Sequence, residues 1–225
     1  MITKTCKIIF IIISIFVLLP SCKKNKWKQP TDVGFIVDIN RSSGQGGKLI
    51  FTKGDITLAN FSFDGKRVQG DDIYFLNTFS SGLNIVFDPN LPVESLNFEI
   101  PQGTFTKIEI SFETFGINDD NQIVLEGNYE KSMNNNYPIR FEFKAKIVQT
   151  IIARNSSGSS EIILNKDVPS YPKIMFDPIF WFNPVSPNLI NNAETVDIGG
   201  TPTILINDTC NENIYNMEIP RKLCR

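Results

Sequence analysis

Charged and apolar residues alternate along Arg140-Phe141-Glu142-Phe143-Lys144-Ala145-Lys146-Ile147, where every second side chain is apolar. The same period of two runs through Lys107-Ile108-Glu109-Ile110-Ser111-Phe112-Glu113, and residues 33–39 place Val33, Phe35, Val37 and Ile39 at alternate positions. A β-strand sends successive side chains to opposite faces, so each segment has one face for a core and one for solvent. Because half-buried strands of this kind are typical of antiparallel sheets, the sequence predicts a mainly β fold.

Shorter segments with a similar pattern or a high density of apolar residues are residues 56–63, 72–78, 83–87, 96–100, 122–125 and 161–164. Turn-forming residues cluster between the segments, at 42–47, 64–65, 101–103, 118–121 and 155–158. About eight to ten short strands at this spacing predict an antiparallel β-sandwich. No repeat of about 20–50 residues is visible, which argues against propellers and solenoids.

The pattern changes after Asp177, where the chain becomes densely apolar. Ser186 followed by Pro187 is typical of a helix start, and it predicts a short helix through Ala193. Residues 203–206 then predict one more strand, and Asp208 or Thr209 caps a last short helix. The predicted fold is therefore an antiparallel β-sandwich with one or two short C-terminal helices, which lie in an extension from about residue 166 to residue 225.

Composition excludes several classes of function. The chain contains 22 basic and 24 acidic side chains and no histidine. A net negative charge argues against nucleic acid as a partner, because phosphate binding requires a basic surface. The absence of histidine removes Ser-His and Cys-His nucleophile pairs, His-ligated zinc and the usual general base near pH 7. We therefore expect a protein that is not an enzyme and that binds neither a metal nor a cofactor.

The N-terminus has the layout of a secretory signal, because Lys4 and Lys7 precede an apolar segment at 8–19. That segment is too short to span a bilayer, which requires about 20 apolar residues. Leu19-Pro20-Ser21-Cys22 resembles the processing box of bacterial lipoproteins, although Pro20 departs from its pattern. The resemblance implies cleavage between Ser21 and Cys22, a lipid on the sulfur of Cys22 and an acyl chain on its amine. The alternative is an ordinary cleaved signal with an incidental cysteine nearby.

The segment after Cys22 has no apolar period and predicts a basic tether over residues 22–30, between a signal peptide at 1–21 and a β-domain at 31–225. Its lysines can contact anionic headgroups, or they can simply be solvated. In well-studied bacteria, an Asp directly after the lipidated cysteine retains a lipoprotein at the inner membrane. Lys23 occupies that position here, which favours the outer membrane. The tether lacks the acidic residues of known surface-export signals, which leaves open whether the domain faces the periplasm or the cell surface.

Two cysteines remain if Cys22 carries lipid and Cys6 is removed with the signal. Cys210 and Cys224 then form a natural pair in an exported protein, and a bridge closing this short loop stabilises by about 3 kcal/mol. Two free, partly buried thiols are the alternative.

The C-terminal part carries a family resemblance on four short motifs, which are Phe176-Asp177-Pro178, Trp181-Phe182, Asn191-Asn192-Ala193 and Asn213-Ile214-Tyr215. These motifs, with the lipoprotein box, resemble the closing pattern of uncharacterised β-sandwich lipoproteins of the Bacteroidota, whose architecture is similar to fimbrillin-like and transthyretin-like domains. The resemblance implies a strand that ends in the Trp-Phe pair, then a short helix, a final strand and a final helix. It implies no catalytic residues.

Local motifs give weak chemical signals. Residues 44–48 lack the first glycine and the Ser/Thr of a phosphate-binding loop and lead into a strand. Pro172 disrupts the helical turn that a Ser170-x-x-Lys173 catalytic pair requires. Neighbouring carboxylates at 71–72 and 119–120 point to opposite faces if extended, so they do not converge on one atom. Phe180, Trp181 and Phe182 either form an aromatic platform for sugar rings or cap the end of the core.

The sequence therefore predicts a membrane-anchored cell-envelope lipoprotein that acts as a non-enzymatic binding, adhesive or structural module. Its partners are the membrane and either a glycan or an envelope protein, and the oligomeric state is left open. A first alternative is a carbohydrate-active hydrolytic lipoprotein, which needs an aromatic-lined groove with two facing carboxylates. A second is a fimbrial or matrix subunit, which needs an incomplete sheet edge.

Overall fold

The computed structural model describes residues 26–92, 95–116, 120–132 and 135–216. The fold is mainly β and sandwich-like, which confirms the predicted fold class. The strands in these residues are β1 (Pro30–Ile39), β2 (Leu49–Arg67), β3 (Ile73–Phe87), β4 (Ser95–Pro101), β5 (Gly103–Thr114), β6 (Ile123–Ser132), β7 (Asn135–Phe143), β8 (Val148–Ile152), β9 (Ile162–Leu164), β10 (Lys173–Phe176), β11 (Thr195–Ile198) and β12 (Thr201–Ile206). The helices are α1 (Pro178–Phe182), α2 (Pro187–Asn191) and α3 (Glu212–Tyr215).

The strands form two sheets that face each other across one core. The small sheet has the order β10-β1-β4, and the large sheet has the order β11-β12-β7-β6-β2-β5-β8, with β3 on the other edge of β2 and β9 on β5. Most pairings are antiparallel, as predicted, but β1 pairs with β10 and β7 pairs with β12 in parallel. An alternation of apolar and polar residues indicates that one face of a strand is solvent-exposed, but it does not indicate the direction of the neighbouring strand. The sequence pattern therefore missed both parallel pairs.

Strand β2 is the longest element and joins the two halves of the large sheet. It pairs with β6 over its first half and with β5 over its second half, and β3 covers its other edge. Extra residues at Thr52 and Ala59 interrupt the register. Each of these bulges shifts the alternation by one residue, so Phe51, Leu58 and Phe61 all point inward although their numbers differ in parity.

The predicted turn at Asp64-Gly65 is wrong, because both residues lie inside β2. Gly65 pairs with Ile108, and a Cβ on Gly65 would lie 2.5 Å from the Phe105 ring. The glycine therefore permits close approach of the aromatic rings and does not reverse the chain. The reversal comes at 68–72, before β3 begins.

Phenylalanine rings fill the space between the sheets. Phe35 of β1 lies 5.1 Å from Phe61 of β2 between ring centroids, and Phe98 of β4 stacks on Phe61 at 5.0 Å. On the other half, Phe176 contacts Phe112 at 5.4 Å. Each fully buried Phe side chain contributes roughly 1.5–3 kcal/mol, so this aromatic layer holds the two sheets together.

The C-terminal part departs from the predicted order at the Trp-Phe pair and at β11, which was not predicted. Strand β10 ends at Phe176, and Trp181 and Phe182 lie in helix α1, whereas the family resemblance implied that the pair ends a strand. The Asp177 carboxylate accepts a hydrogen bond from the Phe180 N–H at 3.1 Å, which caps the helix, and Pro178 stands at its first position.

The two later helices lie close to their predicted places. The predicted start of α2 at Pro187 is correct, although the helix ends at Asn191 and not at Ala193. Helix α3 has Asn211 as its N-cap in place of Asp208 or Thr209, and it buries Ile214.

The bulge at Thr52 generates a stability prediction. Gly127 pairs with Phe51 beside this bulge, and a Cβ on Gly127 would overlap the carbonyl oxygen of Ile50. We expect Gly127→Ala to lower the free energy of unfolding by about 2–3 kcal/mol, because backbone atoms have to move. Urea unfolding measures this, with the exposed neighbour Asn128→Ala as control. Equal midpoints for the two variants would contradict the close approach.

Candidate functional site

Several predicted site residues lie outside the described residues. These are Ser21 and Cys22 of the processing box and Cys224 of the predicted disulfide. Cys210 is half-buried and is a free cysteine among the described residues, in a turn where the Asn207 side chain accepts hydrogen bonds from the backbone of Thr209 and Cys210. Its bridge to Cys224 stays a prediction. No helix in the described ranges is long and apolar enough to cross a bilayer.

Part of the predicted tether belongs to the folded domain. Residues 26–28 form a 3-10 turn, and Gln102 donates hydrogen bonds from its side chain to the Lys26 carbonyl and from its backbone to the Gln29 carbonyl. Arg67 donates from Nη1 to the Trp27 carbonyl at 2.8 Å. Together with the loops at 68–72, 101–103 and 165–168, this segment forms the basal end of the domain. The folded domain thus begins before residue 31.

Two side chains of the aromatic segment 180–182 lie in the core, and the third, Phe180, is partly buried against it. Trp181 and Phe182 are 2% and 0% exposed, and Phe182 packs on Phe51 and Phe141 at centroid distances of 5.2 and 5.5 Å. Sugar rings stack on exposed aromatic faces, which Trp181 and Phe182 do not offer. Trp181 and Phe182 therefore contribute to the core.

The glycine-rich loop at 44–48 is held in place by the side chain of Gln45. Gln45 donates from Nε2 to the carbonyls of Phe182 at 2.7 Å and Val185 at 2.9 Å. The loop leads into β2, so it opens no helix of the kind that binds phosphate. The loop is a turn, as the sequence indicated.

A shallow cleft of about 320 Å³ opens on the outer face of the small sheet, and we call it the tyrosine cleft. It is lined by residues of β1 and β4 and by one residue that precedes β10, namely Asp32, Gly34, Asn97, Phe98, Glu99 and Tyr171. Tyr171 is 64% exposed, so most of its ring faces solvent. The cleft combines one open aromatic ring with two carboxylates and an amide.

Strand pairing fixes the polar side of the tyrosine cleft. Asp32 lies directly opposite Glu99, and Gly34 lies directly opposite Asn97. Directly opposite residues share a face of the sheet, with Cβ atoms about 5 Å apart. The Asn97 amide is held by Ser95, whose Oγ donates to Oδ1 at 3.1 Å and whose carbonyl accepts from Nδ2 at 3.3 Å.

The aromatic side of the cleft depends on Gly34. A Cβ at this position would lie 2.9 Å from Cδ1 of Tyr171 and 2.9 Å from Oδ1 of Asn97. Glycine therefore leaves the room in which the tyrosine ring packs against the β1 backbone, while the rest of the ring stays open. This contact places the ring beside the carboxylates of the cleft.

The groups in the tyrosine cleft match those that hold a sugar ring. An aromatic face accepts the C–H groups of a sugar ring, and carboxylates and amides hydrogen-bond its hydroxyls. The two facing carboxylates meet one criterion of the hydrolytic alternative. Both carboxylates, those of Asp32 and Glu99, are exposed.

A second groove, of about 490 Å³, crosses the outer face of the large sheet between β2 and β11. Its floor is an ion-pair network in which Lys53 lies 2.9 Å from Glu126, Glu126 also contacts Arg140, and Arg140 donates from Nε to Glu142 at 2.6 Å. Asn207 donates to the other oxygen of Glu142 at 3.1 Å. Because these charges satisfy one another, the groove is a weaker candidate for a ligand site.

Burial and neighbours shift the carboxyls of this network in opposite directions. Burial alone raises the pKa of Glu142, but hydrogen bonds from Arg140 and Asn207 outweigh it, so the pKa is lowered. The pKa of Asp55 is raised, chiefly by burial, with a further contribution from Glu126 and an opposing one from Arg140. The charged form of Glu142 therefore stabilises the fold and that of Asp55 destabilises it.

Sequence reasoning missed the tyrosine cleft, because its residues come from three separate segments. Among the described residues no three Asp, Glu or Cys side chains are grouped so that they could hold a metal ion. No protein-family model, curated protein or solved structure matches this chain. The cleft therefore has to be interpreted from its own geometry.

The opposite pKa shifts generate a paired prediction. At pH 7 we expect Asp55→Asn to raise Tm by about 2 °C and Glu142→Gln to lower it by at least as much. Both differences shrink as the pH falls. The Asp55 effect disappears below the ordinary pKa of an Asp, where both states are protonated, and the Glu142 effect is lost as the pH falls through its lowered pKa. Thermal unfolding at several pH values measures this, and a destabilising Asp55→Asn at pH 7 would contradict it.

Proposed function

We propose that this protein is an outer-membrane lipoprotein, anchored through Cys22, whose β-domain binds saccharides in the tyrosine cleft without cleaving them. The single observation that carries the proposal is the exposed Tyr171 ring, packed against Gly34 beside Asp32, Asn97 and Glu99. The anchor supplies retention at the membrane, and the rigid sheet holds the cleft open.

The rigidity of the cleft supports binding. Its polar groups lie on two paired strands and its ring is fixed by a backbone contact, so little conformational entropy is lost when a ligand binds. A volume of about 320 Å³ is at the lower end of small-molecule sites, which suits one or two sugar rings. The cleft is open and combines polar and apolar surface, which suits a sugar ring with its hydroxyl and C–H groups.

The position of the basal end supports the anchor. Only three residues lie between Cys22 and Lys26, where the described residues begin, and the four residue steps from Cys22 to Lys26 span at most about 14 Å. A lipid on Cys22 would hold the basal end close to the headgroups. The tyrosine cleft begins at Asp32, two residues after the start of β1, so it lies on the membrane-proximal half of the small sheet.

Saccharide binding is tested on a glycan array with the mature chain. We expect Tyr171→Ala to weaken binding at least about tenfold, because the stacking surface is lost. Tyr171→Phe keeps the ring and should bind within about threefold of wild type. Val168→Ala, which changes an equally exposed neighbour, serves as control.

Two outcomes of the array experiment contradict the proposal. Equal binding by wild type and Tyr171→Ala would show that saccharides do not use the tyrosine cleft. Shortened glycans, detected by mass spectrometry after incubation with wild type but not with Glu99→Gln, would establish the hydrolytic alternative.

Lipid attachment is tested by palmitate labelling of cells that express wild type or Cys22→Ser. We expect label in the wild type and none in the variant, and proteinase treatment of intact cells then reports which side of the outer membrane the domain occupies. Ser21→Ala, which keeps a small residue before the cleavage site, should label normally. Label that persists in Cys22→Ser would refute the anchor.

A further inference from the structure

Strand β3 presents an open edge of unusual composition. Its fifteen residues contain no charged side chain and no proline, and within the described part of the chain it pairs with β2 alone. An edge strand exposes a row of unpaired N–H and C=O groups, and proteins usually protect it with charges, proline or bulges. The β3–β2 ladder is interrupted at residues 79–82, where four residues of β3 lie opposite Ala59 alone, whereas residues 73–78 follow a regular register.

The regular half of β3 is apolar on both faces. Tyr74 and Leu76 point outward and are 68% and 54% exposed. Phe75 points toward the core, where it stacks on Phe63 at a centroid distance of 5.4 Å and contacts Phe98 at 4.9 Å. A segment with high β propensity, no charge and a free edge readily pairs with another strand.

The other edge strands of the described residues either carry charges or proline or are much shorter than β3. Strand β4 contains Glu99 and ends at Pro101, and β10 begins at Lys173. Strand β11 is four residues long and includes Asp197. Strand β8 is also uncharged, but it spans only five residues between Lys146 and Arg154, so it offers the closest matched control on the opposite side of the sheet.

We propose that residues 72–78, which comprise Asp72 and the first part of β3, pair with the same residues of a second copy of this chain, antiparallel and centred on Phe75. In this register Tyr74 lies opposite Leu76 of the second copy, and Leu76 lies opposite Tyr74 of the second copy. Aromatic–aliphatic cross-strand pairs of this kind stabilise a sheet. Asp72 falls opposite Thr78 of the second copy, so no like charges face each other.

The self-complementary register favours a second copy over an unrelated strand. Two-fold pairing uses the same patch twice and closes, so it gives a dimer and not a filament. Because β3 starts at the basal end, pairing about Phe75 also brings the two basal ends together. Where Cys22 is acylated as proposed above, both anchors can then enter one membrane, which raises the effective concentration of the two strands.

Sedimentation of the whole mature chain with Cys22→Ser, which removes the lipid, tests the dimer. We expect a monomer–dimer equilibrium in which Leu76→Lys raises the dissociation constant at least about tenfold, because it removes two symmetric cross-strand pairs. Val148→Lys puts the same charge on the outer face of β8 and should leave the constant within about twofold. Monomer at all concentrations up to about 200 μM, or equal loss with Val148→Lys, would overturn β3–β3 pairing.

Disulfide trapping in membranes tests the register on the full-length protein, whether or not saccharides bind. Two differently tagged variants, Tyr74→Cys and Leu76→Cys, are expressed together and oxidised. The proposed register predicts a cross-link between the two tags that clearly exceeds the cross-linking of either variant alone and of wild type, which keeps its native cysteines. Equal cross-linking in all samples, or none, would overturn the register.

Discussion

The packing of Phe35 on Phe61 is the contact on which the rest of the structure depends. It joins β1 of the small sheet to β2 of the large sheet, and both side chains are fully buried. Because neighbours on a strand point to opposite faces, turning Phe35 inward turns Gly34 and Ile36 outward. The tyrosine cleft is therefore the outer side of the strand whose inner side builds the core. Its polar residues keep their places because the hydrophobic layer beneath them is closely packed.

Charge is arranged differently on the two outer faces. On the large sheet Arg140 lies between Glu126 and Glu142, so opposite charges alternate across the strands. On the small sheet Asp32 lies directly opposite Glu99, and no ion pair of the described residues includes either side chain. Like charges at such positions destabilise a strand pair. Folding alone gives no reason for this placement, whereas a ligand that donates hydroxyl hydrogens to both carboxylates does.

The alternation at 107–113 and 140–147 was sufficient to predict a mainly β fold, because the burial of one strand face depends on residues that are close together in the sequence. Strand β3 was predicted as two segments, because the sequence pattern breaks before Leu83. In the structure the pairing of β3 with β2 is interrupted at residues 79–82. The parallel pairing of β1 with β10 joins residues more than a hundred positions apart, and no local pattern encodes it. That pairing places Tyr171 over Gly34. The tyrosine cleft could therefore not be predicted before the sheet order was known. The one local indication was Gly34, a glycine within an apolar strand, which is typical of a close approach by another residue.

The open shape of the tyrosine cleft bears on the role of the β3 edge. A shallow site that buries little of its ligand gives weak affinity for a single sugar, because few contacts offset the entropy lost on binding. In the proposed dimer, two clefts would convert the second binding event into an intramolecular one, and avidity would then exceed the affinity of either site. Strand pairing that lacks a large interface is itself weak, and confinement to a membrane strengthens it by the same mechanism. The proposed anchor, the uncharged edge and the open cleft would each act weakly alone, and they would reinforce one another at one membrane surface.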